Sequence, residues 1–240
     1  MPGSRPFGDS GGGFLPDSIR SQDGQTLVGG APVSRRVLEK ALMRAPRLVA
    51  ADGGADTILA AGLTPESVIG DMDSISPEAR AAFASRLHAI AEQDSTDFSK
   101  ALRSTDARFT LAVGFLGARV DHFLACLSEL ARTRAPVILL DETDCICIAP
   151  PRLRLTMAAG ARVSLWPLAR TTGRSTGLRW PIDGLVFDPI GRVGTSNEAT
   201  GPVTLDIDGG PMAVILDADA LDTLLDALQL APRGDGGGAV

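Results

Sequence analysis

The pattern of apolar residues limits the possible folds of this chain more than any other feature. The pattern is of one kind in the first half of the chain and of another kind in the second half. Between residues 25 and 141, short apolar runs alternate with amphipathic stretches. The run at 137–140 is apolar throughout, as expected of a strand buried on both faces. Apolar residues at helical spacing mark 35–44, and Ser76 followed by Pro77 is a typical helix start. This alternation predicts an α/β fold with a doubly wound, mostly parallel sheet.

The second half of the chain has a different pattern. Short strand-like runs are separated by Gly and Pro turns, at the spacing of a small antiparallel sandwich or barrel. An amphipathic helix is predicted at 220–230. We therefore predict an α/β domain over residues 25–143 and a second domain over 144–231. Residues 1–24 and 232–240 are rich in Gly and Pro and are predicted to be disordered tails.

Composition argues against several kinds of partner. The chain has 240 residues, a net charge of −6, 4% aromatic residues and no Tyr. Without aromatic platforms or a dense basic run, we expect no nucleic-acid binding. No apolar run is long enough for a membrane span, so we expect no membrane partner. Three cysteines without a CxxC pair favour buried thiols in a reducing cytoplasm over a disulfide framework or a zinc site.

Aspartates recur at the ends of the predicted strands. Because ligands of open α/β sheets bind at the carboxyl ends of the strands, these side chains are candidates for one site. Like charges gathered there repel, so a cation is expected, and oxygen ligands suit Mg²⁺. Each acid alone could equally be a turn or helix-start residue, and only their repetition favours a site. The acids are Asp52, Asp71, Asp73, Asp94, Asp97 and Asp121.

Phosphate-binding signals are weaker. The sequence has neither GxxxxGK[ST] nor a GxGxxG after a strand. The glycine loop at 114–117 leads from a strand into a helix and could hold a phosphate, with Arg119 beside it. Lys100 could face a phosphate or simply pair with Asp97. His122, taken alone, is better interpreted as a partnered helix-start residue than as a base.

Six short motifs occur in order along the chain. They are Ala51-Asp52-Gly53-Gly54-Ala55-Asp56, Gly70-Asp71-Met72-Asp73-Ser74, Gln93-Asp94-Ser95-Thr96-Asp97-Phe98, Gly117-Ala118-Arg119-Val120-Asp121-His122, Gly177-Leu178-Arg179-Trp180 and Ser196-Asn197-Glu198. Together they resemble the motifs of the thiamine pyrophosphokinase family, over about residues 27–216. One departure is Ala118, where the family usually has glycine.

The resemblance implies an α/β domain followed by a β-sandwich, in a homodimer. It also implies transfer of a pyrophosphoryl group from ATP to the hydroxyl of thiamine, with release of AMP. We expect Asp71 and Asp73 to be the principal Mg²⁺ ligands, with Asp52 and Asp97 nearby. Asp71, Asp73 and Asp97 are the candidate catalytic residues. Asp97 is either the base that activates the thiamine hydroxyl or a metal ligand, and the sequence leaves both roles open.

The resemblance also implies residues that bind each substrate. Trp180, Ser196 and Asn197 are the thiamine-binding candidates, and they are expected to reach the acids of the partner subunit. Without the resemblance, Trp180 would be interpreted as packing under its own domain. Rival functions are a pyrophosphokinase for a hydroxymethyl pterin and a non-catalytic thiamine- or nucleotide-binding regulator, which would not need the acids. The nucleotide-binding candidates are Gln93, Thr96, Lys100, Gly117, Arg119, Asp121 and His122.

Overall fold

A computed structural model describes residues 23–133 and 135–230. The first half of the described chain alternates strands with helices, as predicted. Its elements are β1 (Gln25–Val28), α1 (Arg35–Leu42), β2 (Arg47–Ala51), α2 (Gly54–Ala60), β3 (Ser67–Gly70), α3 (Pro77–Ala82), β4 (Leu87–Ala89), α4 (Asp97–Ser104), β5 (Thr110–Val113), α5 (Val120–Arg132) and β6 (Val137–Leu140).

These six strands form the parallel part of the sheet, in the order β4-β3-β2-β1-β5-β6. The chain moves outward from β1 to β4 and then returns to place β5 on the other side of β1. This reversal confirms the prediction of a doubly wound sheet. It also creates a crevice at the carboxyl ends of β1 and β5, where such folds bind ligands.

Side-chain hydroxyls cap the first turns of α3 and α4 and so determine where these two helices begin. Ser76 caps α3 by accepting from the backbone N–H of Ala79, and Pro77 occupies the first turn. The hydroxyl of Thr96 accepts from the backbone N–H of Ser99 at 3.2 Å, so Thr96 is the cap of α4. Asp97 therefore becomes the first residue of that helix and is held near the strand ends.

The second half is largely antiparallel, which confirms the predicted fold class. Strand β12 pairs with β9 through its first part and with β10 and β8 through its second, so it belongs to both layers of the sandwich. Gly201, at φ 152°, lies shortly after this change of partners. The elements are β7 (Asp144–Ile148), β8 (Arg152–Leu155), β9 (Arg162–Pro167), β10 (Thr171–Leu178), β11 (Val186–Phe187), β12 (Gly194–Gly209), β13 (Met212–Asp217) and α6 (Leu221–Ala227).

Buried apolar side chains cover both faces of the parallel sheet. On β1, Leu27 and Val28 belong to two different core clusters, and Val49 and Ala50 of β2 divide in the same way. Such two-sided burial is typical of parallel strands covered by helices. The larger cluster continues into the sandwich half of the chain, so the two halves share packed residues.

One strand was not predicted, and two predicted segments lie outside the described residues. Strand β10 was not predicted, because its sequence TTGRSTGL is polar and only its two end residues are buried. The predicted tails, 1–24 and 232–240, fall outside the described residues except for Asp23 and Gly24. The division into domains at 143/144 stays a prediction. In the described parts of the chain, no helix has both the length and the apolarity to cross a membrane.

Gly54 offers a test of how tightly α2 packs on β1. A Cβ at Gly54 would lie 1.9 Å from the carbonyl oxygen of Val28, whereas one at Gly30 would meet nothing within 4 Å. We expect Gly54→Ala to lower the free energy of unfolding by about 1–3 kcal/mol or more, although Ala is the better helix former. Gly30→Ala is the control in urea unfolding. Equal stability of the two variants would contradict the packing.

Candidate active site

A cavity of about 760 Å³ opens at the carboxyl ends of the parallel strands. Its walls come from the segments after β1, β2, β3 and β5, from the residues that lead into α4, and from the starts of α4 and α5. Among the described residues that line it are Gly30, Asp52, Asp71, Asp73, Gln93, Thr96, Asp97, Phe98, Lys100, Phe115, Arg119 and His122. The topology therefore brings most of the predicted nucleotide and metal residues to one place.

Three of the predicted metal ligands form one cluster. Asp52, Asp71 and Asp73 each offer a carboxylate oxygen, and these oxygens lie within 4.8 Å of one another. Asp52 follows β2 and Asp71 follows β3, and these strands are neighbours in the sheet. The register of the sheet thus explains why acids distant in sequence meet.

Gly70 allows the acids to approach so closely. A Cβ at Gly70 would lie 2.8 Å from Cβ of Asp52 and 3.1 Å from Oδ1 of Asp97. Any larger residue would have to displace one of these two acids. Asp97, although outside the three-residue cluster, therefore lies beside it, as the sequence analysis expects.

Asp52 has the most unusual environment of the four acids. It is 3% exposed and has a φ of 40°, a left-handed conformation that is uncommon for a residue other than glycine. Its Oδ2 accepts from the backbone N–H of Ser74 at 3.0 Å, but its buried Oδ1 has no hydrogen-bond partner among the described residues. Burial raises the pKa of Asp52, and the charge of Asp97 adds to this effect.

The unpartnered oxygen of Asp52 is a specific indication of a cation. A buried carboxylate oxygen without a donor is costly, and a metal ion satisfies such an oxygen without a proton. Asp71 and Asp73 offer further oxygen ligands close by. Oxygen ligands of this kind are those that Mg²⁺ prefers, so the donor set fits that ion.

Lys100 is buried beside these acids, with a side chain that is 2% exposed. Its Nζ donates to Oδ1 of Asp97 at 3.0 Å and to Oδ2 of Asp71 at 3.4 Å. Burial alone would lower the pKa of Lys100, but its hydrogen bonds to Asp97 and Asp71 and their negative charges outweigh burial and raise it. Lys100 therefore remains charged and offsets part of the repulsion among the acids.

Asp71 is held by three donors. Its carboxylate accepts from the backbone N–H of Asp73 and from Nε2 of Gln93, both at 3.3 Å, as well as from Lys100. Burial raises the pKa of Asp71, but the N–H of Asp73 and the charge of Lys100 outweigh burial and lower it. The carboxylate of Asp71 is therefore ionised and oriented at neutral pH.

The loop between β5 and α5 forms the opposite wall of the cavity. Gly114 and Gly117 adopt φ values of 77° and 79°. Arg119 lines the cavity and pairs with Asp121, with Nη2 and Oδ2 2.6 Å apart. The hydrogen bond from Arg119 lowers the pKa of Asp121 to about 2. Among the predicted nucleotide residues of this loop, His122 also lines the cavity, whereas Gly117 and Asp121 do not.

Sequence reasoning missed the residues that hold the loop before α4. Glu92 accepts from Nη2 of Arg103 at 2.6 Å, from the backbone N–H of Asp94 at 2.9 Å, and from the hydroxyl of Ser95. These bonds fix the segment that carries Gln93 and Thr96. No spacing in the sequence indicates the pair, because Glu92 lies in a loop and Arg103 lies in the last turn of α4.

The predicted thiamine residues lie in the sandwich half, and none of them lines this cavity among the described residues. Trp180 is 54% exposed, and the guanidinium of Arg179 lies 5.0 Å from the centre of its ring. Asn197 is buried: its Nδ2 donates to the carbonyl of Trp180 at 2.7 Å, and its Oδ1 accepts from the N–H of Trp180 at 3.2 Å. Asn197 thus holds the backbone of Trp180. Ser196 has a φ of 60°.

The fold and the site together define a class of protein. A doubly wound sheet with clustered carboxylates and a buried lysine at its strand ends is typical of enzymes that transfer phosphate groups with the help of a divalent cation. Positioning and charge neutralisation dominate such reactions, and this cavity offers both.

Comparisons with known proteins show which family within this class the chain resembles. The family model for the catalytic domain of thiamin pyrophosphokinase matches residues 38–139. Thiamine pyrophosphokinase 3 of Oryza sativa subsp. japonica is 28% identical, with 80% of this chain and 89% of that protein aligned. Thiamine pyrophosphokinase 1 of the same organism is 29% identical over 60% of this chain and 64% of that protein, just under two thirds of its length.

A solved structure resembles the chain over most of its length. The crystal structure of thiamin pyrophosphokinase from Geobacillus thermodenitrificans superposes with a TM-score of 0.67 and 26% identity, covering 82% of this chain and 98% of that one. The chain is therefore similar to thiamine pyrophosphokinases both in sequence and in fold. The resemblance predicted from the six motifs is confirmed.

The unpartnered oxygen of Asp52 allows the proposed cation site to be tested by thermal unfolding, without an activity assay. In the presence of a chelator, we expect Asp52→Asn to be at least as stable as the wild type in thermal unfolding, because it removes a buried negative charge that lies beside other acids. Added Mg²⁺ and ATP should then stabilise the variant much less than the wild type. Asp73→Asn is the control, since Asp73 is exposed and its neutralisation should leave stability in chelator nearly unchanged. A clear loss of stability of Asp52→Asn in chelator would contradict this interpretation.

Proposed function

We propose that this protein is a thiamine pyrophosphokinase, an enzyme that transfers a pyrophosphoryl group from ATP to the hydroxyl of thiamine. The products are thiamine diphosphate and AMP. The observation that carries the proposal is the cluster of Asp52, Asp71 and Asp73 with buried Lys100 beside it. All four residues lie inside the segment that matches the family's catalytic domain.

We propose that Asp71 and Asp73 are the principal ligands of Mg²⁺, with Asp52 and Asp97 beside them. When bound, Mg²⁺ would neutralise charge on the phosphates of ATP. The unpartnered Oδ1 of Asp52 supports this assignment. Lys100 and Gln93 orient the carboxylate of Asp71 through their hydrogen bonds.

In the proposed reaction, the hydroxyl oxygen of thiamine attacks the β-phosphorus of ATP. A bond forms between that oxygen and the β-phosphorus, and the bond to the oxygen bridging the α- and β-phosphates breaks, so AMP leaves with the bridging oxygen. The hydroxyl proton passes to a carboxylate. Asp97 is the candidate acceptor, since it lies at the start of α4 beside the cluster and its Oδ1 is held by Lys100.

The remaining residues supply the proposed substrate contacts. Gln93, Thr96, Lys100, Arg119 and His122 line the cavity and are proposed to contact ATP. Gly117 and Asp121 would act less directly, Gly117 by shaping its loop and Asp121 by orienting Arg119. The three cysteines are free and buried, which supports the proposed cytoplasmic location.

We propose a homodimer in which each site is shared. Trp180, Ser196 and Asn197 do not line the cavity of their own chain. The half-exposed indole of Trp180 is available to a partner's cavity, and an indole face stabilises a cation such as thiazolium by roughly 0.5–2 kcal/mol. Ser196 would contact thiamine, while Asn197 would act by holding Trp180 in place.

The activity is tested by incubating the protein with ATP, Mg²⁺ and thiamine and assaying AMP. AMP should form only when thiamine is present, together with an equal amount of thiamine diphosphate. Release of ADP, or AMP formation that does not depend on thiamine, would refute the proposed reaction.

The metal assignment predicts the effect of two substitutions. Asp71→Asn and Asp73→Asn should each lower kcat by about 100-fold or more while the fold survives, because each removes a charge that positions the phosphates. Glu78→Gln is the control, since Glu78 is an exposed acid that does not line the cavity. Steady-state kinetics at ordinary Mg²⁺ concentrations measure the effect. Near-normal activity in both variants would remove them from the mechanism.

The shared site predicts complementation between two inactive variants. Mixing Asp71→Asn chains with Trp180→Ala chains should restore activity, because one of the two sites in each hybrid dimer then carries neither lesion. Subunit exchange is verified with differently tagged chains. If exchange occurs and no activity returns, the shared site is wrong, and a stable, active monomer would refute the dimer.

A further inference from the structure

Phe115 and Phe98 form an aromatic end of the cavity, and the proposed reaction gives these two residues no role. Phe115 follows β5 and lines the cavity, and its ring lies 4.7 Å from that of Phe98, centroid to centroid, at an interplanar angle of 57°. Phe98 is 2% exposed and therefore supports Phe115 from within the protein. A Cβ at Gly29 would lie 2.7 Å from Cε1 of Phe115, so the ring is also seated against the bare backbone of Gly29.

Phe115 and the acids Asp71 and Asp73 follow different strands of the sheet. Strands β2 and β1 lie between β3, which carries Asp71, and β5, which leads to Phe115. Neighbouring strands lie about 4.8 Å apart, so the two loops are roughly 14 Å apart across the sheet edge. A nucleoside triphosphate is long enough to bridge this gap, with its phosphates at one end and its base at the other.

The charged side chains that line the cavity indicate which part of a substrate binds at the aromatic end. Arg119 and His122 line the cavity from the same β5–α5 segment as Phe115, whereas the carboxylates among the described lining residues belong to the segments after β2 and β3 and to α2 and α4. Asp121 pairs with Arg119, so this end offers no free carboxylate among the described lining residues to the thiazolium cation of thiamine, whereas a neutral base needs none. The crevice between β1 and β5 is also where doubly wound sheets bind nucleotides.

We infer that Phe115, supported by Phe98 and Gly29, is the platform on which the purine base of the nucleotide stacks. The phosphates then extend along the cavity toward Lys100 and the acids. Phe115 would thus set the preference of the enzyme for a nucleotide over other polyphosphates. The identity of the nucleotide as ATP rests on the proposed function.

The test compares two ligands that differ in the base. Binding of ATP and of inorganic tripolyphosphate, each with Mg²⁺ and without thiamine, is measured by titration calorimetry. Phe115→Ala should weaken ATP binding about tenfold to a hundredfold, since stacking on one aromatic ring has an effect of this size. Tripolyphosphate has no base, so its affinity should stay within about twofold of the wild-type value, well below that stacking effect.

Two further variants keep the test decisive. Phe115→Leu retains apolar contact with Phe98 without a ring, and it should show the same selective loss even if Phe115→Ala does not fold. Phe123→Ala removes a ring from α5 that does not line the cavity, and it should change neither affinity. Equal losses for both ligands in Phe115→Leu, or unchanged ATP affinity, would overturn the inference.

The outcomes separate this inference from the proposed function. A wild-type protein that shows base-dependent ATP binding but forms no thiamine diphosphate refutes the proposed function and supports the stacking platform. A wild-type protein that forms thiamine diphosphate, but whose Phe115 variants bind ATP normally, refutes the platform alone.

Discussion

The mutual repulsion of carboxylates at the ends of β2 and β3 is the constraint on which the rest of the site depends. Asp52, Asp71 and Asp73 approach within 4.8 Å, and Asp97 lies beside them. Such an arrangement is stable only if positive charge is supplied. Lys100 supplies part of it from a buried position, and the unpartnered oxygen of Asp52 indicates that a cation supplies the rest.

The fold holds the site rigid by close backbone approaches. Gly29 and Gly114 meet at the ends of β1 and β5, where a Cβ on either would lie 2.6 Å from the carbonyl oxygen of the other. Gly54 packs α2 directly on β1, and Gly70 makes room for the acids. The glycines therefore determine where the strand ends meet, and charge determines what can bind there.

Contacts between distant parts of the chain complete the frame. Lys40 of α1 donates to the carbonyl of Ala218, with Nζ and the oxygen 2.7 Å apart, just before α6. Arg44 of the same region donates to Asp222 of α6. These contacts bind the first helix to the last and keep the sandwich half against the α/β half.

Much of this arrangement could be predicted from the sequence. Apolar periodicity predicted the parallel sheet, and the carboxyl-end rule then placed Asp52, Asp71 and Asp97 together. Features that depend on three-dimensional contacts could not be predicted. The unpartnered oxygen of Asp52 follows from burial and a left-handed backbone, and the Glu92–Arg103 pair follows from how a loop folds back on α4. Strand β10 was missed because a sheet with one solvent-exposed face tolerates polar, glycine-containing strands.

The central claim is that the acids at the ends of β2 and β3 bind the divalent cation that serves the phosphates. The most direct measurement is a crystal structure with Mn²⁺ and ATP, in which anomalous scattering locates the ion. We expect an anomalous peak about 2.1 Å from carboxylate oxygens of Asp71 and Asp73, the distance typical of a small divalent cation. A bound nucleotide with no ion on these carboxylates, or with the ion held elsewhere in the cavity, would contradict the account.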